Sequence, residues 1–303
     1  MRVLVLGAGG YLGSALVSRF VAAGHVVTGL VRNDRAAEKL RLASGRPVSG
    51  DLTDLTASVA LLGDADVVVY AAQLLLEPER RTVEAMLDAL EGSGKTFVFT
   101  SGTGVLSQRT DGEWSEDTFA EDDDFVASKY IGARRVTEDL VRAAGERGIR
   151  GIVVRPAMIW GHGRCPMIEG FYQSAAQTGS VCYIGRGLNL YSNVHVDDVA
   201  EVYHLAIEKG KSGALYHAVS GETNFRTIAE AVARELDVPA RSVDLAEAVT
   251  IWDKFTALIA FSVCSRSRAP RSRTELGWQP HPDRLDILDE VSHPTLKTLL
   301  AAS

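Results

Sequence analysis

Gly7-Ala8-Gly9-Gly10-Tyr11-Leu12-Gly13 lies between an apolar run, Val3 to Leu6, and an amphipathic stretch opening at Leu12. Glycines at this spacing let a backbone turn tightly and approach a pyrophosphate. The helix that follows offers unpaired N–H groups to the phosphate charge. The plain alternative is a strand-to-helix turn that serves packing alone. Position after the first strand makes it the weaker reading. The chemistry expected is dinucleotide binding, with Gly7, Gly10, Tyr11, Leu12 and Gly13 at the phosphates. Nineteen residues beyond Gly13 stands Arg32, at the end of the run Val26 to Val31. An acid there would accept from a ribose 2′-hydroxyl, whereas a guanidinium suits a 2′-phosphate through forked, charge-assisted bonds. NADPH is therefore expected over NADH, with Arg35 as a possible second cation. Asp51 and Leu52 are placed beside the adenine, although a helix cap fits Asp51 nearly as well. Ala71, Ala72 and Gln73 close a further strand where small residues let the chain pass close to a cofactor.

The elements that must position these residues alternate. Short runs, Val3 to Leu6, Val26 to Val31, Asp66 to Ala72, Thr96 to Thr100 and Ile152 to Arg155, read as buried strands. Between them, Leu12 to Ala23, Glu79 to Glu91 and Ser128 to about Glu146 read as helices. This rhythm predicts an α/β fold, a doubly wound parallel sheet covered on both faces. After Pro156 it changes. A strand at Asn193 to Val196, a helix from Asp197 to Lys209 and a strand at Leu215 to Val219 precede about eighty residues that read as helices and loops. The division expected is a dinucleotide-binding part, 1–160 and 187–220, and a smaller C-terminal substrate-binding region, 161–186 and 221–303.

The chain has 303 residues, 46% of them apolar and 23% charged, with a net charge of −7. That excludes a disordered chain and argues against a nucleic-acid binder. Three cysteines, Cys165, Cys182 and Cys264, make neither a disulfide framework nor a zinc pair, and are expected as reduced thiols of a cytoplasmic protein. No run approaches the roughly 20 apolar residues of a membrane helix.

Together GAGGYLG (7–13), VRN (31–33), DL (51–52), VVVYAA (67–72), FVFTSG (97–102), ASK (127–129), VVRPAMIWG (153–161), HVDDVA (195–200) and ELGWQP (275–280) resemble the extended, atypical short-chain dehydrogenase/reductase superfamily. The likeness covers almost the whole chain. It implies a Rossmann sheet, a nicotinamide cofactor walled also by Thr100, Pro156 and Ile159, and a Tyr-x-x-x-Lys pair aided by a Ser or Thr after the fifth strand. The tyrosine handles the proton at the substrate oxygen, and the lysine holds the nicotinamide ribose. Aligned through these motifs, Lys129 is present, but the tyrosine falls on Phe125 and the serine on Gly102, flanked by Ser101 and Thr103. Lys129, Ser101 and Thr103 are then the catalytic candidates. Tyr130, one step along a helix from Lys129, would point about 100° away.

Three accounts fit the missing tyrosine. The first is an NADPH-dependent reductase whose proton comes from the substrate, a ketone beside a phenol whose pKa is near 10. Here the chain resembles polyketide ketoreductases of simocyclinone-type antibiotic pathways, which lack that tyrosine, and an aromatic ketone substrate is implied. The second is a nucleotide-sugar epimerase or dehydratase, with Arg266, Arg268, Arg271 and Arg273 at a diphosphate, unless they form a solvated basic loop. The third is a non-catalytic NADPH sensor. His162 is a conceivable proton donor that reads more simply as a loop residue. His195 with Asp197 and Asp198 has the look of a catalytic pair, but the resemblance makes them structural, His195 packing and Asp197 capping a helix, and no His/Asp/Glu cluster in the chain shows metal-ligand spacing. Glu113 to Asp124, with seven acidic residues, reads as a solvated loop or a flap over the substrate. Trp160, Phe171, Tyr172, Tyr183, Tyr191, Trp252 and Phe255 read as core before they read as walls for a flat ligand.

Overall fold

The computed structural model describes residues 1–74, 76–127 and 131–301. Seven parallel strands form the central sheet in the order Leu215–Ala218, Arg150–Pro156, Thr96–Thr100, Val67–Tyr70, Arg2–Leu6, Val26–Val31, Arg46–Ser49. This is the doubly wound Rossmann-like α/β fold that the alternation predicts. The strands are continuous apolar runs because each serves two cores. Val67 and Val69 face one, while Val68 and Tyr70 face the other. Ile152 and Val154 likewise oppose Val153, as the two-residue side-chain period requires. Each such fully buried side chain contributes roughly 1.5–3 kcal/mol.

Helices Tyr11–Ala22 and Val196–Lys209 cover the first face, and Leu76–Leu90 and Ala133–Ala143 the second. Strand order reverses between Arg2–Leu6 and Val67–Tyr70, so a crevice opens beyond their carboxyl ends. A third core joins helices Pro166–Thr178, Phe225–Leu236 and Leu245–Trp252 in the C-terminal part. Ala269, Leu276 and Trp278 return from there to the sheet and pack in its first core.

Some elements differ from expectation. The helix expected from Ser128 begins at Ala133, after Gly132, which lacks a capping side chain. Ser128, Lys129 and Tyr130 lie outside the described residues. The late segment contains strands as well as helices. Gly221–Asn224 joins Leu190–His195 and Met158–Trp160 in a small sheet, and Ala240–Val243 pairs with Val181–Ile184. Val263–Cys264 pairs with Gln108–Arg109 and so ties the late segment to the loop after Thr96–Thr100. Helix Val196–Lys209 is capped by His195 Nδ1, which accepts the Asp197 N–H at 3.2 Å, rather than by Asp197 itself. No helix among the described residues is long and apolar enough to cross a membrane. The three cysteines are buried and free.

Candidate active site

A cleft of about 560 Å³ lies at the point where the strand order reverses. Its floor is the glycine turn. Gly7 has a φ of +88°, and a Cβ there would stand 2.8 Å from the backbone of both Ala71 and Ala72. A Cβ on Gly13 would stand 2.1 Å from Gly7 O, so the first helix packs directly on the turn. Gly10 opens that helix with no side-chain cap and no acid in the first turn. The amino-terminal N–H groups therefore face the cleft without a protein partner of opposite charge, which suits an anion. The cradle fits a dinucleotide pyrophosphate.

Gly7, Gly10, Tyr11, Leu12, Arg32, Asp51, Leu52, Ala71, Ala72, Gln73, Thr100, Ser101 and Ile159 all line this cleft. These residues come from the carboxyl ends of five strands, the start of the first helix and the short strand Met158–Trp160, and the fold brings them together. Arg32 is exposed on the wall with no ion pair in the described structure, while Arg35 is not on the wall. Asp51 forms a local turn, accepting from Thr53 N–H at 2.8 Å and from Thr53 Oγ1 at 2.7 Å. Those bonds, more than nearby Arg32, hold its carboxyl below the usual range. The cap of the following helix is Asp54.

Other expected residues stand elsewhere. Gly13 is buried against Gly7 and acts through packing. Pro156 is buried in its strand, and its carbonyl would lie 3.7 Å from a Cβ on Gly102. Thr103 is buried beneath the wall, its Oγ1 without a partner. Lys129, expected on the ribose, lies outside the described residues. Phe125 is not on the wall. Its ring packs on the guanidinium carbons of Arg135, at 4.8 Å, and Arg155, at 5.3 Å, with Phe119 at 6.0 Å. The residues before it form no helix, and its register to Lys129 runs through residues outside the described ones.

The hydroxyls differ in their freedom. Tyr11 donates to the carbonyls of Gly161 at 2.7 Å and Arg164 at 3.1 Å, and burial pushes its pKa up. Thr100 Oγ1 accepts from buried Tyr203 at 2.7 Å. Ser101 Oγ is buried and unpartnered at the cleft wall. Among the described residues, no imidazole lines the cleft.

Arg134, Arg164 and Glu169 also line the cleft and were not among the expected residues. Arg134 forks onto Glu79 at 2.8 and 2.6 Å, with the carboxylate almost wholly buried. Burial raises the Glu79 pKa even so, against the pull of Arg134. The available signal was Arg134 in the first turn of an amphipathic helix, four residues before Glu138, which forks onto buried Arg155. Arg164 stacks near Tyr11, at 5.7 Å, and pairs with Glu169 at 3.0 Å. Nothing local in the sequence brings them to the glycine turn.

Glu113 to Asp124 is a loop with most of its carboxylates exposed, as expected of a solvated loop, but it is fastened to the late segment. Arg266 donates to the carbonyls of Ser115 and Glu116 and pairs with Glu222 at 2.8 Å. Arg268 pairs with Asp123 at 2.9 Å, and Arg271 with Asp122. Buried Glu121 accepts the backbone N–H groups of His217, Arg271 and Ser272. Arg273 bonds Gln279 and lies over Trp278. The basic run thus clasps the acidic stretch, with Arg266, Arg268 and Arg271 each paired to a carboxylate. His162 sits off the cleft with Asp197, at 3.0 Å. His195 packs in its aromatic cluster, 4.9 Å from Trp160. Trp160, Phe171, Tyr172, Tyr183 and Trp252 are core residues, whereas Phe255 is exposed.

Residues 3–220 match the model of the NAD dependent epimerase/dehydratase family. The chain is 31% identical, over 96% of its length and 98% of the relative's, to an uncharacterized protein of Saccharomyces cerevisiae. It is 29% identical to the 4-hydroxy-2-methyl-3-oxo-4-farnesyl-3,4-dihydroquinoline-1-oxide ketoreductase of Stigmatella aurantiaca, over 73% of this chain and 69% of that one. A solved UDP-glucose-4-epimerase from Stenotrophomonas maltophila, with bound NAD and formylated UDP-arabinopyranose, superposes with a TM-score of 0.76. That match covers 100% of both chains at 20% identity and speaks to the fold alone.

Proposed function

Because this chain belongs to the NAD dependent epimerase/dehydratase family, we propose that it is an NADPH-dependent ketoreductase acting on a carbonyl of a polycyclic aromatic metabolite. The observation that carries the cofactor choice is Arg32, unpaired on the cleft wall where a 2′-hydroxyl reader would carry an acid. Gly7 and Gly10 cradle the pyrophosphate, Gly13 lets the helix approach, and Arg32 takes the 2′-phosphate. When bound, the dinucleotide supplies the hydride. Arg134 is the cation fixed on the described wall beside Thr100 and Ser101, and we assign it to the nicotinamide ribose side. Lys129 is the candidate of the sequence for the same task.

Ser101 Oγ, buried and unpartnered, is placed to hydrogen-bond a substrate oxygen. A serine hydroxyl is a poor acid unaided. The described wall has no imidazole, and its one phenol, Tyr11, is occupied and raised in pKa. The proton then comes from the substrate. A phenol beside the ketone passes its proton to the oxygen as hydride reaches the carbon, and water later reprotonates the phenolate. The quinoline ketoreductase relative supports a ring-fused ketone as the substrate class. The clasped basic run supports this reading over a sugar-diphosphate one, since Arg266, Arg268 and Arg271 already have partners.

The test is NADPH oxidation with an aromatic ketone bearing a free neighbouring phenol and with its methyl ether. Turnover of the phenol alone is expected. Equal turnover of both would replace the substrate by a protein acid.

A further inference from the structure

At the amino ends of the strands, on the edge away from the cleft, a second group of side chains converges. His25 lies in the turn between helix Tyr11–Ala22 and strand Val26–Val31. His204 and Glu208 stand one turn apart on helix Val196–Lys209, so their four-residue spacing sets them on one side of it. One potential ligand atom from each of the three lies within 4.8 Å of the other two. The imidazole centroids are 5.7 Å apart.

Both rings leave a nitrogen unmet. His25 Nε2 and His204 Nδ1 are buried without a hydrogen-bond partner. The His25 side chain is only 8% exposed, and its Nε2 stands 3.5 Å from Glu208 Oε1 without a hydrogen bond between them. Buried polar atoms are nearly always satisfied, so two orphaned ring nitrogens in one cluster, one of them 3.5 Å from a carboxylate oxygen, call for an occupant. We propose that His25, His204 and Glu208 form a binding site for a divalent transition-metal ion of the zinc class. Two imidazoles and a carboxylate match its ligand preferences and leave a coordination position for water.

The other cluster of this kind makes a useful contrast. His162, His195 and Asp197 also lie within reach of a shared ion. There, however, His162 bonds Asp197, His195 Nδ1 accepts a backbone N–H, and Arg284 stands 3.4 Å from Asp197. Those groups have partners and a neighbouring cation.

Around His25 and His204 the charges are manageable. Arg19 is paired with Glu201, and Lys209 donates to Leu276 O. The Met1 amino group donates toward His25 Nδ1 at 3.5 Å, a contact that must open, or the amine lose its proton, for Nε2 to take the ion. Burial holds both imidazoles below their ordinary range, which keeps them in the neutral form that binds metal. Zn–N bonds of about 2.0–2.1 Å set tetrahedral ligands roughly 3.3 Å apart. The three side chains must therefore close somewhat, and Glu208, 45% exposed, has the freedom to do so. The ion would tie the turn at His25 to the end of the long helix without entering the cleft.

The full chain, stripped by a chelator, is titrated with Zn²⁺ by calorimetry and with Co²⁺ by visible absorption. One ion per chain is expected, with a rise in Tm at saturating Zn²⁺. His204→Ala and Glu208→Gln should each weaken binding at least about tenfold, and His162→Ala should not change it. Glu208→Gln replaces a half-exposed group by an amide of the same size, so its fold, checked by circular dichroism, provides a control if His204→Ala unfolds. NADPH affinity should be the same in Glu208→Gln and the unaltered protein. Failure to bind Zn²⁺ stoichiometrically, or binding that survives Glu208→Gln or disappears in His162→Ala, overturns the assignment.

Discussion

The glycine turn and the acidic stretch Glu113–Asp124 are the two most polar-looking signatures of this chain, and they end in opposite states. At the turn, Gly10 has no capping side chain and Arg32 no ion pair among the described residues. Along the acidic stretch, Asp122, Asp123 and Glu121 are each held by groups from the late segment. Unmatched donors at a concave surface mark a ligand site, whereas matched ones mark architecture. The same contrast separates two forked Arg–Glu pairs. Arg134–Glu79 reaches the cleft wall, while Arg155–Glu138 is buried behind it.

The largest effect should come from the buried pair. Both partners are at most 3% exposed, and Arg155 is also 3.4 Å from buried His217. Glu138→Gln leaves the guanidinium unpaired in a low-dielectric site, which costs about 3–5 kcal/mol. Urea unfolding monitored by circular dichroism checks it, and a loss below about 1 kcal/mol would show that the pair behaves like a surface one. Next comes Arg32→Ala. Loss of charge-assisted bonds to a 2′-phosphate should weaken NADPH by about 1.5–3 kcal/mol, and NADH hardly at all. Fluorescence titration of both nucleotides reads the difference, and equal weakening would remove Arg32 from the 2′-phosphate.

How far the sequence was legible follows from how local each feature is. GxxGxxG and Arg32 lie within one strand–helix–strand unit, so counting residues places them against a cofactor. The strands were legible because runs such as Val67–Tyr70 are buried on both faces. Arg134, Arg164 and Glu169 reach the glycine turn from over a hundred residues away, by sheet order and loop path, which no spacing reveals. The clasp has the same cause. Arg271 and Asp122 are 149 positions apart, and each stretch read alone is a solvated charge run. The His195 cap was missed because an imidazole took the place at the helix start that a neighbouring aspartate suggested.

A smaller effect tests the clasp. Arg268 and Asp123 are 56% and 40% exposed. Solvent and salt screen such a pair, so Arg268→Ala should cost only about 0.2–1 kcal/mol and leave NADPH binding unchanged. If NADPH affinity instead fell with Arg268→Ala, the clasp would reach the cleft after all.

The smallest expected change is the most informative. Phe125 stands off the cleft, between Arg135 and Arg155, so its missing hydroxyl says nothing about the chemistry of the wall. Of the arginines on the helix that follows Phe125, Arg134 lines the cleft, and the residue four positions before it is Tyr130. Two registers of one motif are therefore distinguishable by substitution. With a substrate-borne proton, Tyr130→Phe leaves kcat for the phenolic ketone nearly unchanged, and the methyl ether stays inert. A loss of about 10²–10⁴ in kcat, with NADPH binding intact, would make Tyr130 the acid and Arg134 its companion. Lys129→Met completes the comparison. If it alone weakens NADPH, the lysine holds the ribose. If the conservative Arg134→Lys does so instead, by losing the fork while keeping the charge on Glu79, the arginine does.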